Sequence, residues 1–532
     1  MENNISLKSI LLTSTIMIYS TVILIAQQIN SAEIDRLVVR TMATFNVPGI
    51  AVAVVKDGKM IHSKGYGVRS LVTMQNTDEN TLFAIASNSK AFTSAALGIL
   101  VDEGKLKWND RVIDYIPEFR MYNAYVTEEF TIKDLLTHRS GLGLGAGDLM
   151  VWPDSSDFKL KDIIHNIRFL KPVSGFRTKY DYDNLLYIIA GEVVARAAGV
   201  SWEEFVETRI MTPLGMNRSA GSFERLRDKT NIIDAHVEID GKVRAVPMSL
   251  NDMANSAGGI YSSVSDMGKW AIMQMNNGRY GANLSKRIFS ESVHNEMWTP
   301  QTIIPVTGKT TYKTNFSSYG LGWGLSDVNG LKQVTHTGGL TGVVTQVTLL
   351  PDIKLGIIVF TNQQVGAAFT AITNTIKDSY LGIEKTDRVK ENYDRVKQSE
   401  AQAGDLTGAI WKRVEGLKAA GVKPADINAF TGTYTDNWFG DITISLKDGK
   451  LWFASKRSPK LSGEMLYYGG DTFIVKWTDR SFDADAFVKF ELDFDGKASG
   501  IKMKAISPLT DFSYDFQDLD FHRRGTISGI LL

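Results

Sequence analysis

A serine followed three residues later by a lysine, Ser87-Asn88-Ser89-Lys90, is the first grouping in this chain that could do covalent chemistry. A hydroxyl at its ordinary pKa is a weak nucleophile and needs a base beside it. On a helix, positions i and i+3 share a face, which puts Lys90 beside the Ser87 hydroxyl. A buried lysine of lowered pKa can take that proton, and the start of the helix supplies backbone N–H groups for a developing oxyanion. The pattern by itself is common: Ser156 with Lys159 and Ser499 with Lys502 match it too. Taken singly, Ser87 reads equally as a helix N-cap and Lys90 as a solvated charge. Two later groups add chemistry. Tyr182-Asp183-Asn184 brings a phenol able to act as base or proton shuttle and an amide able to hold a substrate carbonyl. His336-Thr337-Gly338 leads into a β-rich run, where Gly339 could present its backbone N–H as a second oxyanion donor. Each has a plain structural reading: Tyr182 as a core-edge aromatic, Asn184 as a helix cap, His336 as a loop-to-strand histidine. All of them in this order are much harder to obtain by accident.

The elements that must hold these groups can be read from pattern. A helix is expected near 33–45. A hairpin follows, 49–55 and 60–67 around Asp57-Gly58, a strong short-range turn signal. The serine and lysine open a helix over about 87–102 after a short apolar piece at 82–86, with Gly104 closing it. Helices and Gly-rich loops fill 105–330, and another helix follows Tyr182-Asp183-Asn184 over 185–198. Two β-rich runs, 342–350 and 356–361, and a helix near 367–381 complete the unit. Residues 384–422 are charged and Ala-rich and read as a linking helix or tether. Residues 430–521 hold 18 of the 53 aromatics, and alternating runs around Asp448-Gly449 and Asp495-Gly496 point to a small all-β sheet or barrel. The expected division is 1–32 signal or anchor, 33–383 mixed α/β domain, 384–422 linker and 423–532 β domain.

Composition removes several function classes. Lys plus Arg and Asp plus Glu are both 59, so no uncompensated basic surface invites nucleic acid. Without cysteine there is no disulfide, thiol nucleophile, Cys-ligated zinc or iron–sulfur cluster. His138, in a Gly-rich loop, has no partner at metal-ligand spacing, and there is no His-Glu-x-x-His, so a mechanism free of metal and cofactor is expected. The Gly-x-Ser-x-Gly elbow of another serine fold is also absent. Lys8 and the mostly apolar run 10–26, with Ala26 and Ala32 as candidate ends, read as a secretory signal. The other reading is an uncleaved membrane tether. A periplasmic or secreted location is expected, and nothing in the pattern indicates an oligomeric state.

Ser87-x-x-Lys90, Tyr182-x-Asn184 and His336-Thr337-Gly338 together resemble the signatures of the penicillin-recognising serine hydrolases: class C β-lactamases, D-alanyl-D-alanine carboxypeptidases, D-aminopeptidases and related esterases. The resemblance extends to Val47-Pro48-Gly49, the run 135–142 from Leu135 to Leu142, the run 257–262, the Gly-rich run 319–324 and the stretch 336–362. It implies an α/β (α+β) domain with an antiparallel sheet flanked by helices plus an all-helical region. The C-terminal part resembles the lipocalin-like β domain appended to some of these hydrolases.

The resemblance also implies roles. Ser87 is the nucleophile of an acyl-enzyme, and Lys90 and Tyr182 share the acid–base work, with the first base left open between them. Asn184 orients the substrate amide, the N–H groups of Ser87 and Gly339 form the oxyanion hole, and His336, Thr337 and Gly338 flank the substrate. His336 stands where β-lactamases carry lysine, and a neutral imidazole is a weaker carboxylate anchor. Peptide or ester hydrolysis, on D-residues among others, is therefore expected ahead of β-lactam hydrolysis, with a non-catalytic binding protein as the lesser alternative. Asp183 departs from the small residue usual at that place. It reads either as a carboxylate favouring a cationic substrate or as a helix cap facing solvent.

Overall fold

A computed structural model of the chain describes residues 28–248, 251–308, 310–384 and 386–525. The apolar run 10–26 lies outside the described residues. The first helix, Ser31–Phe45, starts where a capping box permits: Asn30 accepts from the Glu33 N–H at 3.0 Å and Glu33 accepts from the Asn30 N–H at 2.9 Å. The strands Gly49–Lys56 and Lys59–Gly67 form the expected hairpin, with φ of 51° at Asp57 and 75° at Gly58. Positive φ at both central residues gives the turn whose twist matches its strands.

These two strands begin an eight-stranded sheet. Its order is Lys59–Gly67, Gly49–Lys56, Leu355–Thr361, Val343–Leu350, Leu331–Leu340, Gly324–Val328, Ser317–Tyr319 and Thr302–Ile304, antiparallel throughout. The central strands are buried on both faces, which explains their unbroken apolar runs. Ile50, Val52, Val54, Ile357 and Val359 pack under Ser31–Phe45 and Gly366–Leu381. Ala51, Ala53, Val55, Ile358 and Phe360 face the core shared with Trp270 of Val264–Met275. Beyond that helix lie Ser89–Asp102 and Leu185–Ala198, the helices behind the reactive groups. The mixed antiparallel domain expected from sequence is thus what the chain forms. The short strands at 302–328 went unrecognised in the helix-and-loop stretch, because three to five half-exposed residues carry little alternation.

One continuous helix, Arg388–Ala419, joins this unit to the next. It is fixed at both ends. Arg388 Nε meets Asp378 Oδ2 at 2.6 Å in a buried ion pair. Val414, with Ile410 and Trp411 beside it, packs on Ile474 and Ile506 of the β domain. That domain is a closed barrel of eight strands, Gly432–Asp436 to Phe521–Arg523, sealed by pairing of Tyr434 with Arg523. Phe430, Tyr434, Phe473 and Phe490 fill its interior edge to face. The barrel is also tied to the helical region. Arg457 meets Asp157 at 2.6 Å and Asp162 at 2.8 Å, Lys460 meets Asp154 at 2.8 Å, and the Arg457 guanidinium lies 3.8 Å over the Phe158 ring.

Candidate active site

Ser87 sits in a single turn, Ala86–Asn88, immediately ahead of the helix Ser89–Asp102 rather than in the helix's first turn. Ala86 has φ of 49°, a left-handed conformation that costs a non-glycine residue about 1 kcal/mol or more. The turn is held by its surroundings. Thr345 Oγ1 donates to the Ile85 carbonyl at 2.8 Å, and Asn88 Nδ2 donates to Thr345 Oγ1 at 2.9 Å. The strand Leu331–Leu340 passes so close that a Cβ at Gly338 would clash with the Ile85 carbonyl and stand 2.9 Å from Ala86 Cβ. That approach is why the third residue of the His-Thr-Gly triplet has no side chain. Ser87 itself stays half-buried at the cleft floor.

Lys90 is completely buried, and its Nζ has three acceptors: Ser87 Oγ at 3.1 Å, Asn184 Oδ1 at 2.7 Å and the Ala257 carbonyl at 2.9 Å. The rings of Tyr182 and Tyr187 lie 4.8 and 5.3 Å from it. Burial pulls the Lys90 pKa down to about 7, against the opposing pull of Asp148 and Asp183. Its free amine is therefore accessible near neutral pH, 3.1 Å from the Ser87 hydroxyl. The Tyr182 hydroxyl also hydrogen-bonds Ser87, but burial drives its pKa well up and keeps it a phenol.

Asn184 occupies the N-cap position of Leu185–Ala198 and makes no capping bond. Its side chain instead bridges Lys90 and Asp148, Nδ2 donating to Asp148 Oδ2 at 2.8 Å. Asp183 does the capping, accepting from the Leu186 N–H at 3.4 Å. It faces the interior and not solvent, and burial raises its pKa to about 7. Since it does not line the cleft, it is not offered to a cationic substrate. His138 Nδ1 accepts from the Asp183 N–H at 3.0 Å while its ring lies tilted 4.2 Å from that of Tyr182, so this histidine holds the Tyr-Asp-Asn segment in place.

His336 Nδ1 lies 2.6 Å from the Thr337 carbonyl, which can only accept, so Nδ1 carries the hydrogen. Nε2 therefore accepts from the Tyr319 hydroxyl at 2.8 Å. Burial, reinforced by the Lys90 charge, depresses the His336 pKa to about 3, and the imidazole is neutral. Thr337 and Gly339 are exposed along the cleft.

The cleft is a cavity of about 1000 Å³ with walls from both domains. Ser87, Tyr182, Asn184, His336, Thr337 and Gly339 line one side, and barrel residues Asp483, Leu509, Phe512 and Tyr514 line the other. Phe512 meets Tyr182 edge-on at 5.7 Å. The two other Ser-x-x-Lys matches are elsewhere: Ser156 and Ser499 donate to the backbone carbonyls of Met150 and Glu491. Sequence reasoning passed over Asp148, Tyr319 and residues 509–514. Asp148 did carry a signal, as the only charge in the apolar, Gly-rich stretch 140–151.

The Beta-lactamase family matches residues 34–381, and a second family, a domain of unknown function called DUF3471, matches 418–523. The unguisins hydrolase ungD of Aspergillus violaceofuscus is 26% identical over 79% of this chain and 77% of its own length. The corresponding hydrolase of Aspergillus campestris is 25% identical over 87% of each. Protein flp of Staphylococcus aureus is 25% identical over 62% of each chain. The octameric penicillin-binding protein homologue from Pyrococcus abyssi shares the fold, with a TM-score of 0.58 at 21% identity over 93% of this chain and 100% of its own. With the family match spanning most of its length, this chain belongs to the beta-lactamase family, the penicillin-recognising serine hydrolases.

Proposed function

We propose that this chain is an exported serine hydrolase that works through an acyl-enzyme on Ser87, cleaving peptide amide bonds, those of D-residues included, or small esters. The observation that carries this reading is the buried Lys90 amine 3.1 Å from Ser87 Oγ, with a pKa of about 7. In this reading Lys90 Nζ takes the hydroxyl proton as Ser87 Oγ bonds to the substrate carbonyl carbon. The N–H groups of Ser87 and Gly339 receive the oxyanion. Collapse breaks the bond to the leaving amine or alcohol, which takes a proton relayed from Lys90 through the Tyr182 phenol. Water then repeats the steps on the ester of Ser87 and releases the acid. Asn184 has one amide hydrogen left for a substrate carbonyl beyond its bond to Asp148. Export is supported by the apolar run 10–26 behind Lys8, and a peptide or other small molecule as substrate by the size of the cleft.

Two further facts favour this reading over β-lactam hydrolysis. His336 is neutral and bonded at both ring nitrogens, which makes it a poor anchor for a carboxylate. The relatives named as unguisins hydrolases support hydrolysis. A fluorophosphonate probe should label the protein at Ser87, mapped by peptide mass spectrometry, and Ser87→Ala should abolish labelling. Labelling at another residue, or none, would sink the reading. Nitrocefin turnover matching that of peptide substrates would move it to β-lactamase.

A further inference from the structure

The reactive groups end in a run of contacts that leaves their own domain. Asn184 links Lys90 to Asp148 Oδ2, and the same oxygen accepts from Ser513 Oγ of the barrel at 2.9 Å. Barrel residue Asp515 accepts from the N–H of Gly147 at 2.6 Å and of Leu149 at 3.0 Å, the residues on either side of Asp148. Asp148 and Asp515 are both completely buried. The Gly-rich loop makes room for this meeting: Gly145 has φ of 71°, and a Cβ there would stand 2.6 Å from the Phe512 carbonyl oxygen.

We infer that residues 513–515 of the barrel are a positioning element for Lys90, acting through Asp148 and Asn184, so that the hydrolase site is complete only with the barrel docked. The inference rests on the acyl-enzyme reading above. Its logic is the asymmetry of an amide. Asp148 Oδ2 accepts, so Asn184 must turn Nδ2 toward it and Oδ1 toward Lys90. Turned over, the amide would set its own N–H groups against the lysine. Ser513 holds the Asp148 side chain, and Asp515 holds its backbone.

The arrangement has an electrostatic consequence. The titratable groups around Lys90 are Asp148, Asp183, His138, His336, Tyr182 and Tyr187. Those around Asp148 are Lys90, Asp183, Asp515 and Tyr182. Burial lowers the Lys90 pKa, and the Asp148 charge works against that. Burial in turn raises the Asp148 pKa, and the bonds from Asn184 and Ser513 work against that. Losing the Ser513 hydroxyl makes Asp148 harder to ionise and so lets the Lys90 pKa fall further.

The test uses full-length protein, with p-nitrophenyl acetate hydrolysis measured across pH and fluorophosphonate labelling of Ser87, for wild type, Ser513→Ala, Ser513→Thr and Asp148→Asn. Ser513→Ala should lose about tenfold in kcat, with KM changed less than about twofold, and the acid limb of its kcat/KM profile should move to lower pH. Ser513→Thr should recover both, and Asp148→Asn should move the limb further the same way. A purely structural role would reduce the folded fraction, and hence kcat, without moving the limb. If wild type labels at Ser87 while the Ser513→Ala limb coincides with the wild-type limb, the inference is overturned and the acyl-enzyme reading stands. If wild type does not label at Ser87, both fall.

Discussion

The two walls of the cleft differ in how deeply their side chains are buried. The wall with Lys90 and Asn184 is part of a continuous apolar core, and these side chains are 0% and 4% exposed. The wall from the barrel presents Phe512, 39% exposed, and near it adds hydrogen bonds from Ser513 and Asp515 to the packing of Phe439 on Phe158. Groups that move protons need fixed distances, and close packing supplies them. A wall carried on surface loops can vary more freely in sequence. The contrast separates the wall that carries the reacting groups from the wall that reaches them through Ser513 and Asp515, and it can be probed from both sides.

The largest effect belongs to the packed wall. Ser87→Ala should reduce ester turnover about 10⁴-fold or more with an unchanged melting temperature, and turnover within tenfold of wild type would place the chemistry elsewhere. Lys90→Arg puts a permanent charge in place of an amine that can lose its proton and should cost about 10³-fold in kcat. In wild type the lysine is protonated below about 7 and free above it, so kcat/KM should rise with pH through that region. A profile flat from about pH 6 to about pH 8 would deny Lys90 the role of base.

Asp134 tests how far stability depends on the catalytic domain's own polar core. Its fully buried carboxyl meets Arg177 at 2.6 Å and Arg139 at 3.2 Å. Burial discourages its ionisation, but the bonds from Arg177 and Thr131 prevail and hold its pKa below the usual carboxylate value. Its contribution is therefore present above that value and lost as pH falls beneath it. Asp134→Ala should destabilise by about 3 kcal/mol, read as a lower urea midpoint, and an unchanged midpoint would show the pair contributes nothing. The smallest effect belongs to the barrel wall. Phe512→Ala removes an edge-to-face contact of about 1 kcal/mol and should cost about fivefold in kcat/KM for a peptide and under twofold for a small ester. Equal losses on both would show that Phe512 does not discriminate between long and short substrates.

The packed wall was legible because its chemistry needs particular residue types at short spacing. Ser87 with Lys90, Tyr182 with Asn184, and His336 through Gly338 each fit within one turn or one stretch of strand. What joins them is not local. Asn184 looked like a cap and is a bridge, while Asp183 looked solvated and is buried; the position ahead of a helix is the same for both, and only the packing around it separates them. His336 is visible within its triplet, but its partner Tyr319 lies on a strand of three residues that no periodicity could reveal. Hairpins at Asp57-Gly58 and Asp448-Gly449 were visible because those turns require positive φ. Ser513 and Asp515 lie in a loop whose partners are 365 to 368 residues away, and nothing nearby in the chain marks them.

The helix Arg388–Ala419 turns the docking of the barrel into a matter of angular phase. Its 32 residues make a rod about 48 Å long, seated on Asp378 at one end and on Ile474 at the other. Each inserted residue would rotate everything beyond it by about 100° and advance it by about 1.5 Å. One insertion midway would swing Ser513 out of register with Asp148. About eleven would restore the angle, with a displacement of about 16 Å. The charged, mostly solvent-facing surface of this rod therefore tolerates exchange of residues far more readily than a change in their number.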